Sequence, residues 1–289
     1  MFQSFIRQRA LRPLVPLIGV ASVALVLGCQ VAAPPAVQPR AAARTVEFDA
    51  VDYAFNAPST LPSGLTTIRL TNHGQEPHHA QLLRLNDGVD FDTFTQALQR
   101  EGEGALRLTS AEGGPGTTNP DGSAEVVLDL KPGTYALACF ISGPDGAPHL
   151  MKGMLKPIEV TQSDESPIAP ATQATFTMKD FSFDMPSTLR YGRATYKVVN
   201  IGPQMHELNI VKLATGKTLR DALEWEQAPA GPPPFAAAGG MNAFSADGSG
   251  YMTLDLEPGT YVAICNVPDP SSGTPHSHLG MVKEFTVQG

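Results

Sequence analysis

The residues able to hold a metal are confined to a few places in this chain. Seven histidines are present: His73, His78, His79, His149, His206, His276 and His278. Some follow Asn72 or Asn200 closely, and the rest sit in loops opened by Cys139 or Cys265. Histidines serving only as scattered structural residues would not cluster this way. Laid against itself with an offset of about 127 residues, the chain brings four positions into coincidence. His78 meets His206, and Cys139 meets Cys265. His149 meets His276, each after a proline, and Met154 meets Met281, each after a glycine.

Two imidazoles, one thiolate and a weak thioether make a trigonal copper site with a long axial ligand. Soft sulfur suits Cu(I), and imidazole suits both oxidation states. An ion held rigidly between two preferred geometries changes charge with little rearrangement. Simpler readings stand beside this one. A buried cysteine at a strand end is often plain core, and Cys139 could pair with Cys265 as a disulfide in an oxidising compartment. A fourfold set that occurs twice weighs for copper. His79, Met151 and His278 are possible alternative ligands: His79 aligns with Glu207, and Met151 stands where the second repeat has His278. Met205 and Trp225 read as packing residues.

The elements that must position these ligands are strands. Gly and Pro number 27 and 26, and only 17% of residues are charged, which suits strands and turns better than long helices. The repeat is explicit: Asp52-Tyr53-Ala54-Phe55 matches Asp180-Phe181-Ser182-Phe183, and Asp129-Leu130-Lys131-Pro132-Gly133-Thr134-Tyr135 matches Asp255-Leu256-Glu257-Pro258-Gly259-Thr260-Tyr261. Domains therefore span 45–161 and 171–289, with a polar, Pro-bearing linker over 162–170. Apolar alternation predicts strands near 45–55, 65–72, 78–85, 123–130, 133–140 and 154–161. Their counterparts lie near 173–183, 194–200, 205–213, 250–256, 259–266 and 281–288. Each repeat adds one short helix, over 91–100 and 219–226, followed by a Gly/Pro-rich loop.

At this point the chain resembles the cupredoxins, the blue (type 1) copper proteins. The resemblance covers both repeats. It rests on Gly-Thr-Tyr-x-x-x-Cys, Pro-His-x-x-x-Gly-Met and Asn-x-Gly-x-x-x-His, each present twice. It implies an all-β fold of two tandem cupredoxin-like Greek-key β-sandwiches, each with a short helical insertion. It also implies up to two type 1-like coppers, held by His78, Cys139, His149 and Met154 and by His206, Cys265, His276 and Met281. The expected role is one-electron transfer, with the loop histidine, His149 or His276, as the exposed exit for the electron. Copper storage or delivery, and a metal-free interaction domain, are the alternatives. Fused cupredoxins also include copper enzymes. A trinuclear centre needs many more histidines, and only His276-Ser277-His278 forms a His-x-His pair. The nitrite reductase pattern wants a histidine just before the copper cysteine, where Ala138 and Ile264 stand. No Ser-His-Asp or paired-acid set stands out.

The N-terminus carries an address. Arg7, Arg9 and Arg12 precede an apolar run over 14–27, broken by Pro16 and too short for a convincing membrane span. Residues 1–28 read as a signal peptide. Val26-Leu27-Gly28-Cys29 resembles the lipobox of bacterial lipoproteins, in which the cysteine is acylated; residues 29–44 then form an Ala/Pro tether. The expected place is the cell envelope, on the periplasmic side, with a lipid anchor at Cys29. Removing residues 1–28 takes away three arginines and no acids, moving the formal charge from −8 to −11. Such a surface disfavours nucleic acid and favours a basic redox or copper-exchange partner. If the lipobox is read correctly, wild-type protein should fractionate with membranes and carry fatty acid, and Cys29→Ala should release it. Membrane retention by the variant, with no fatty acid on the wild type, would contradict the assignment.

Overall fold

The computed structural model describes residues 42–228 and 230–289. The signal peptide, Cys29 and nearly all of the tether lie outside these residues. The first repeat contains β1 (Arg44–Val51), β2 (Ala54–Asn56), β3 (Thr60–Pro62), β4 (Gly64–Asn72), β5 (Gln81–Leu85), α1 (Phe91–Glu101), β6 (Thr109–Ala111), β7 (Ser123–Leu130), β8 (Gly133–Ala138) and β9 (Leu155–Thr161). The second contains β10 (Thr175–Lys179), β11 (Ser182–Asp184), β12 (Thr188–Arg190), β13 (Gly192–Asn200), β14 (His206–Leu213), α2 (Leu219–Gln227), β15 (Phe235–Phe244), β16 (Ser249–Leu256), β17 (Gly259–Ile264) and β18 (Val282–Gln288).

Each repeat is a sandwich. In the first, one sheet runs β2-β1-β4-β7 and the other β3-β9-β8-β5-β6; the second repeat mirrors this with β11-β10-β13-β16 and β12-β18-β17-β14-β15. The chain crosses repeatedly between the two sheets, as a Greek-key sandwich requires. Alternation explains the strands. In β4 every second residue from Thr66 to Asn72 is buried, and in β13 the same holds from Tyr196 to Asn200. Phe48, Ile68 and Leu70 from one sheet join Leu82, Tyr135 and Leu137 from the other in a single core. Helix α1 starts at Asp90, whose carboxylate accepts the Thr93 amide at 2.7 Å, and buries Phe94, Ala97 and Leu98. Helix α2 starts with a capping box between Thr218 and Asp221.

The repeats are not beads on a string. Strands β7 and β16 pair antiparallel, Leu128 opposite Gly250 and Glu125 opposite Thr253, so the two inner sheets fuse into one of eight strands. Glu125 accepts from Arg69 at 2.6 Å and from Arg193 of the other repeat at 2.8 Å. Both arginines are about half exposed, so this clamp adds at most about 1 kcal/mol per pair. A second seam joins residues 111–116 to 240–245. The Gly113 amide donates to Ala243 O at 2.9 Å, the Asn242 amide to Gly114 O at 2.9 Å, and the Gln81 side chain makes paired bonds with the Ala243 backbone.

One strand departs from expectation. Residues 235–244, assigned from sequence to a Gly/Pro-rich loop, form β15, which pairs with β14 through two irregularities. Its sequence, Phe-Ala-Ala-Ala-Gly-Gly-Met-Asn-Ala-Phe, has no apolar alternation to read, because its last residues are buried against the other repeat as well as against its own. The short strands β3 and β12, and β6, were also not anticipated, and His78 to Ala80 lie outside β5.

Gly114 and Gly240 make the second seam possible. Both have φ near +144°, and a Cβ would run into the carbonyl oxygen of Ala80 or Leu208 respectively. Gly114→Ala should therefore cost at least about 1–3 kcal/mol, seen as a lower denaturant midpoint in urea unfolding. A change within about 0.5 kcal/mol of wild type would mean the seam is not as tight as described.

Candidate metal centre

Two features of the fold bring each set of ligands together. The first is the Asn-x-Gly turn before β5 or β14. The Asn72 amide donates to Glu76 O at 2.8 Å and Thr118 O at 2.9 Å, and its oxygen accepts from the Gly74 amide at 2.8 Å. Asn200 does the same with Gln204, Phe244 and Gly202. The glycine is dictated by the site: a Cβ on Gly74 would collide with the Asp52 carboxylate and the His78 ring, and one on Gly202 with Asp180 and His206. The second is the corner before β8 or β17. The Tyr135 hydroxyl donates to Lys131 O at 2.9 Å, and Tyr261 to Glu257 O at 2.8 Å. This fixes the strand that delivers the cysteine four residues later.

After the cysteine the loop returns through one short 3-10 turn, His149–Lys152 or His276–Leu279. The His149 amide donates to Ile141 O, and the Met154 amide to His149 O at 3.0 Å. Gly153 and Gly280 end these turns in the left-handed conformation, which turns the chain back so that Met154 and Met281 follow buried.

His78, Cys139 and His149 converge, as do His206, Cys265 and His276; all six are 0% exposed. In the first repeat the two Nδ1 atoms are 3.0 Å apart, and Cys139 Sγ is 4.0 Å from His78 Nδ1 and 3.6 Å from His149 Nδ1. The second repeat repeats this with 3.0, 3.9 and 3.5 Å. The outer nitrogens decide the protonation. His78 Nε2 faces Asp52 at 2.7 Å and His149 Nε2 faces Glu76 at 2.8 Å. His206 Nε2 faces Asp180 at 2.7 Å and His276 Nε2 faces the Gln204 oxygen at 3.0 Å. All four partners accept, so each neutral imidazole carries its single proton on Nε2. Two Nδ1 lone pairs then confront each other beside a sulfur, where two acceptors cannot bond to one another. A cation resolves this conflict. The donor set fits a type 1-like copper in each repeat, with His78, Cys139 and His149, or their counterparts, to hold it. When bound, copper supplies a one-electron couple.

Burial pushes the Cys139 thiol up to about 11 and the Cys265 thiol up to about 12. It also pushes His78, His206 and His276 below the ordinary histidine value, against the pull of the neighbouring carboxylates. Each cysteine also accepts a backbone amide, from His79 or Glu207, at 3.5 Å.

The other sequence candidates lie elsewhere. His79 Nε2 accepts the Phe140 amide at 2.8 Å and faces a cavity of about 450 Å³ between the repeats, shared with Met205, Glu207 and Asn266. Met151 is 52% exposed, and His278 is exposed and joins no ligand group among the described residues. Cys139 and Cys265 are both free, so no disulfide joins them. Trp225 packs edge-on against Phe235 at 5.5 Å. One expectation is corrected: His149 and His276 are not exposed. Glu76 and Gln204 cap them, and Tyr53 and Phe181 pack edge-on against their rings at 4.9 and 5.0 Å. These caps were missed from sequence. Asp52 and Asp180 occupy matched places in the repeat, the only signal available for them; Glu76 and Gln204 differ in type and gave none.

No family model matches the chain, and no curated protein matches it. Solved structures do match. Reduced auracyanin from Roseiflexus castenholzii is 24% identical over 41% of this chain and 98% of its own, with a TM-score of 0.31. A blue copper oxidase from Nitrosomonas europaea is 15% identical over 85% of each chain, TM-score 0.27. A copper nitrite reductase from the same organism is 13% identical over 85% of this chain and 94% of its own, TM-score 0.26.

Because the thiols are protonated in the absence of metal, copper uptake near pH 8 should release about one proton per site. Calorimetry in buffers of different ionisation enthalpy reads this directly. Uptake without proton release would mean that the thiolates are not ligands.

Proposed function

We propose that this chain is an exported, lipid-anchored one-electron carrier with one type 1-like copper in each repeat. The carrying observation is the pair of facing Nδ1 lone pairs beside a buried thiol, present twice. Protein interiors do not leave acceptors opposed without a proton or cation between them. The two faces of each site are held by parts of one rigid sandwich, which suits an ion that changes charge and keeps its place.

Burial favours this reading over storage. A store exchanges its metal through exposed, adaptable ligands, whereas all six nitrogen and sulfur donors here are on residues with no exposed surface. The placement of the remaining histidines favours a carrier over a copper oxidase. The remaining histidines are dispersed: His73 pairs with Asp49 at 3.3 Å on the surface, His79 faces the cavity and His278 is exposed. Among the described residues only two ligand groups form. Electrons reach the metal through a thin cover rather than a bare imidazole, since the Glu76 side chain that caps His149 is itself 21% exposed. The anchor assigned to Cys29 would hold the carrier at a membrane, and the acidic surface would suit a basic partner.

Cu(II) titration should end at two ions per chain with the intense visible absorption of a thiolate–Cu(II) bond. Cys139→Ser should empty the first repeat alone, halving both copper content and absorption, and Cys265→Ser should do the same in the second. Loss of both coppers from either change would mean that the ligands are shared between repeats. Met154→Leu or Met281→Leu is volume-conserving and should cost under about 1.5 kcal/mol of stability. Each should keep its copper and raise the potential of its own site, because a soft axial donor is lost. Potentials that do not move would make these methionines packing residues.

A further inference from the structure

The two sites differ in the residue that caps the second ligand histidine. Glu76 and Gln204 each stand two residues before the first ligand histidine, and each accepts the Nε2–H of the second. Glu76 puts a carboxylate there and Gln204 an amide. Their neighbours differ to match. The Tyr53 hydroxyl donates to Glu76 at 2.7 Å, whereas the second repeat has Phe181, without a hydroxyl, at that place. The Gln204 amide donates in turn to Asp269 at 3.2 Å, so the nearest carboxylate on that path is a whole side chain farther from His276 and is occupied by Ser271 and Ser272.

A negative charge one imidazole away favours the doubly charged over the singly charged ion. A carboxylate acceptor also makes the imidazole a more basic donor, which acts in the same direction. Asp52 and Asp180 face the first histidines at 2.7 Å in both repeats and cancel in the comparison. Asp269, beyond Gln204, acts against the difference, and two further groups oppose it. Lys152 lies 4.5 Å over the Tyr53 ring and is paired with Asp145 at 2.7 Å. Glu207 lies on the sulfur side of the second site, held by the Asn266 amide at 3.0 Å, where the first repeat has His79. Neither touches the imidazoles that Glu76 and Gln204 cap.

We propose that Glu76 and Gln204 are positioning residues that set the two coppers of one chain to different reduction potentials, the first repeat the lower. A single electron in the chain then resides in the second repeat. This rests on the copper reading above.

The test is a redox titration of the copper-loaded full chain, followed by visible absorption, with copper content measured in parallel. Cys139→Ser and Cys265→Ser backgrounds report each site singly. Wild type should titrate in two steps separated by at least a tenfold difference in equilibrium constant, which is 59 mV for one electron. Glu76→Gln should raise the first potential and leave the second, Gln204→Glu should lower the second and leave the first, and the double exchange should shrink or invert the gap. Full copper content with coincident wild-type potentials, or with potentials unmoved in both variants, overturns this inference and leaves the copper reading intact. A chain that takes up no copper overturns both.

Discussion

Two imidazole lone pairs held 3.0 Å apart, beside a thiol and out of reach of water, are the constraint around which each repeat is built. With both imidazoles neutral and Nε2 protonated, the two lone pairs oppose each other until a cation or a further proton lies between them. It persists in the fold because every outer contact of the rings fixes the opposite nitrogen as the donor. Asp52 and Glu76 do this in the first repeat, Asp180 and Gln204 in the second. Behind them, the Asn72 and Asn200 amides lock the turns that carry Glu76 or Gln204 and the first histidines. The tyrosine corners fix the strands that carry the cysteines. The glycines of the turns are small because the ligand rings and their acids already fill the space.

The duplication is also an assembly. Strands β7 and β16 merge the inner sheets, and the seam around Gly114 and Gly240 brings the ligand-bearing strands of both repeats to one interface. The cavity there is bordered by the residue after each first histidine, His79 and Glu207, and by the residue after each cysteine, Phe140 and Asn266. Burial drives the two former residues in opposite directions, His79 down to about 3 and Glu207 up to about 7, so neither favours a charge at the interface. Two near-identical sites thus share one buried border and differ at their outer caps.

Much of this was legible from sequence. The eight ligand candidates followed from matching the repeat, because donors that recur at four places are not coincidence. Most strands followed from period-two alternation, and each repeat's short helix was placed between them. What could not be read were the features that depend on contact between distant segments. Strand β15 is Ala- and Gly-rich because two backbones approach it closely, which erases the alternation that marks an ordinary strand. The burial of His149 and His276 depends on Glu76 and Gln204 folding over them from a turn more than 70 residues earlier. A comparison of repeats finds what they share, and so it passed over the position where they differ.

The central claim is that all four ligand histidines carry their proton on Nε2 and turn Nδ1 inward to a metal. Long-range proton–nitrogen NMR correlation of the protein loaded with diamagnetic Cu(I) tests it most directly. His78, His149, His206 and His276 should each show a protonated Nε2 and an unprotonated Nδ1, and the four Nδ1 resonances should be shifted from their positions in the metal-free protein. A proton on Nδ1 of any of the four, or Nδ1 resonances unmoved by copper, would contradict it.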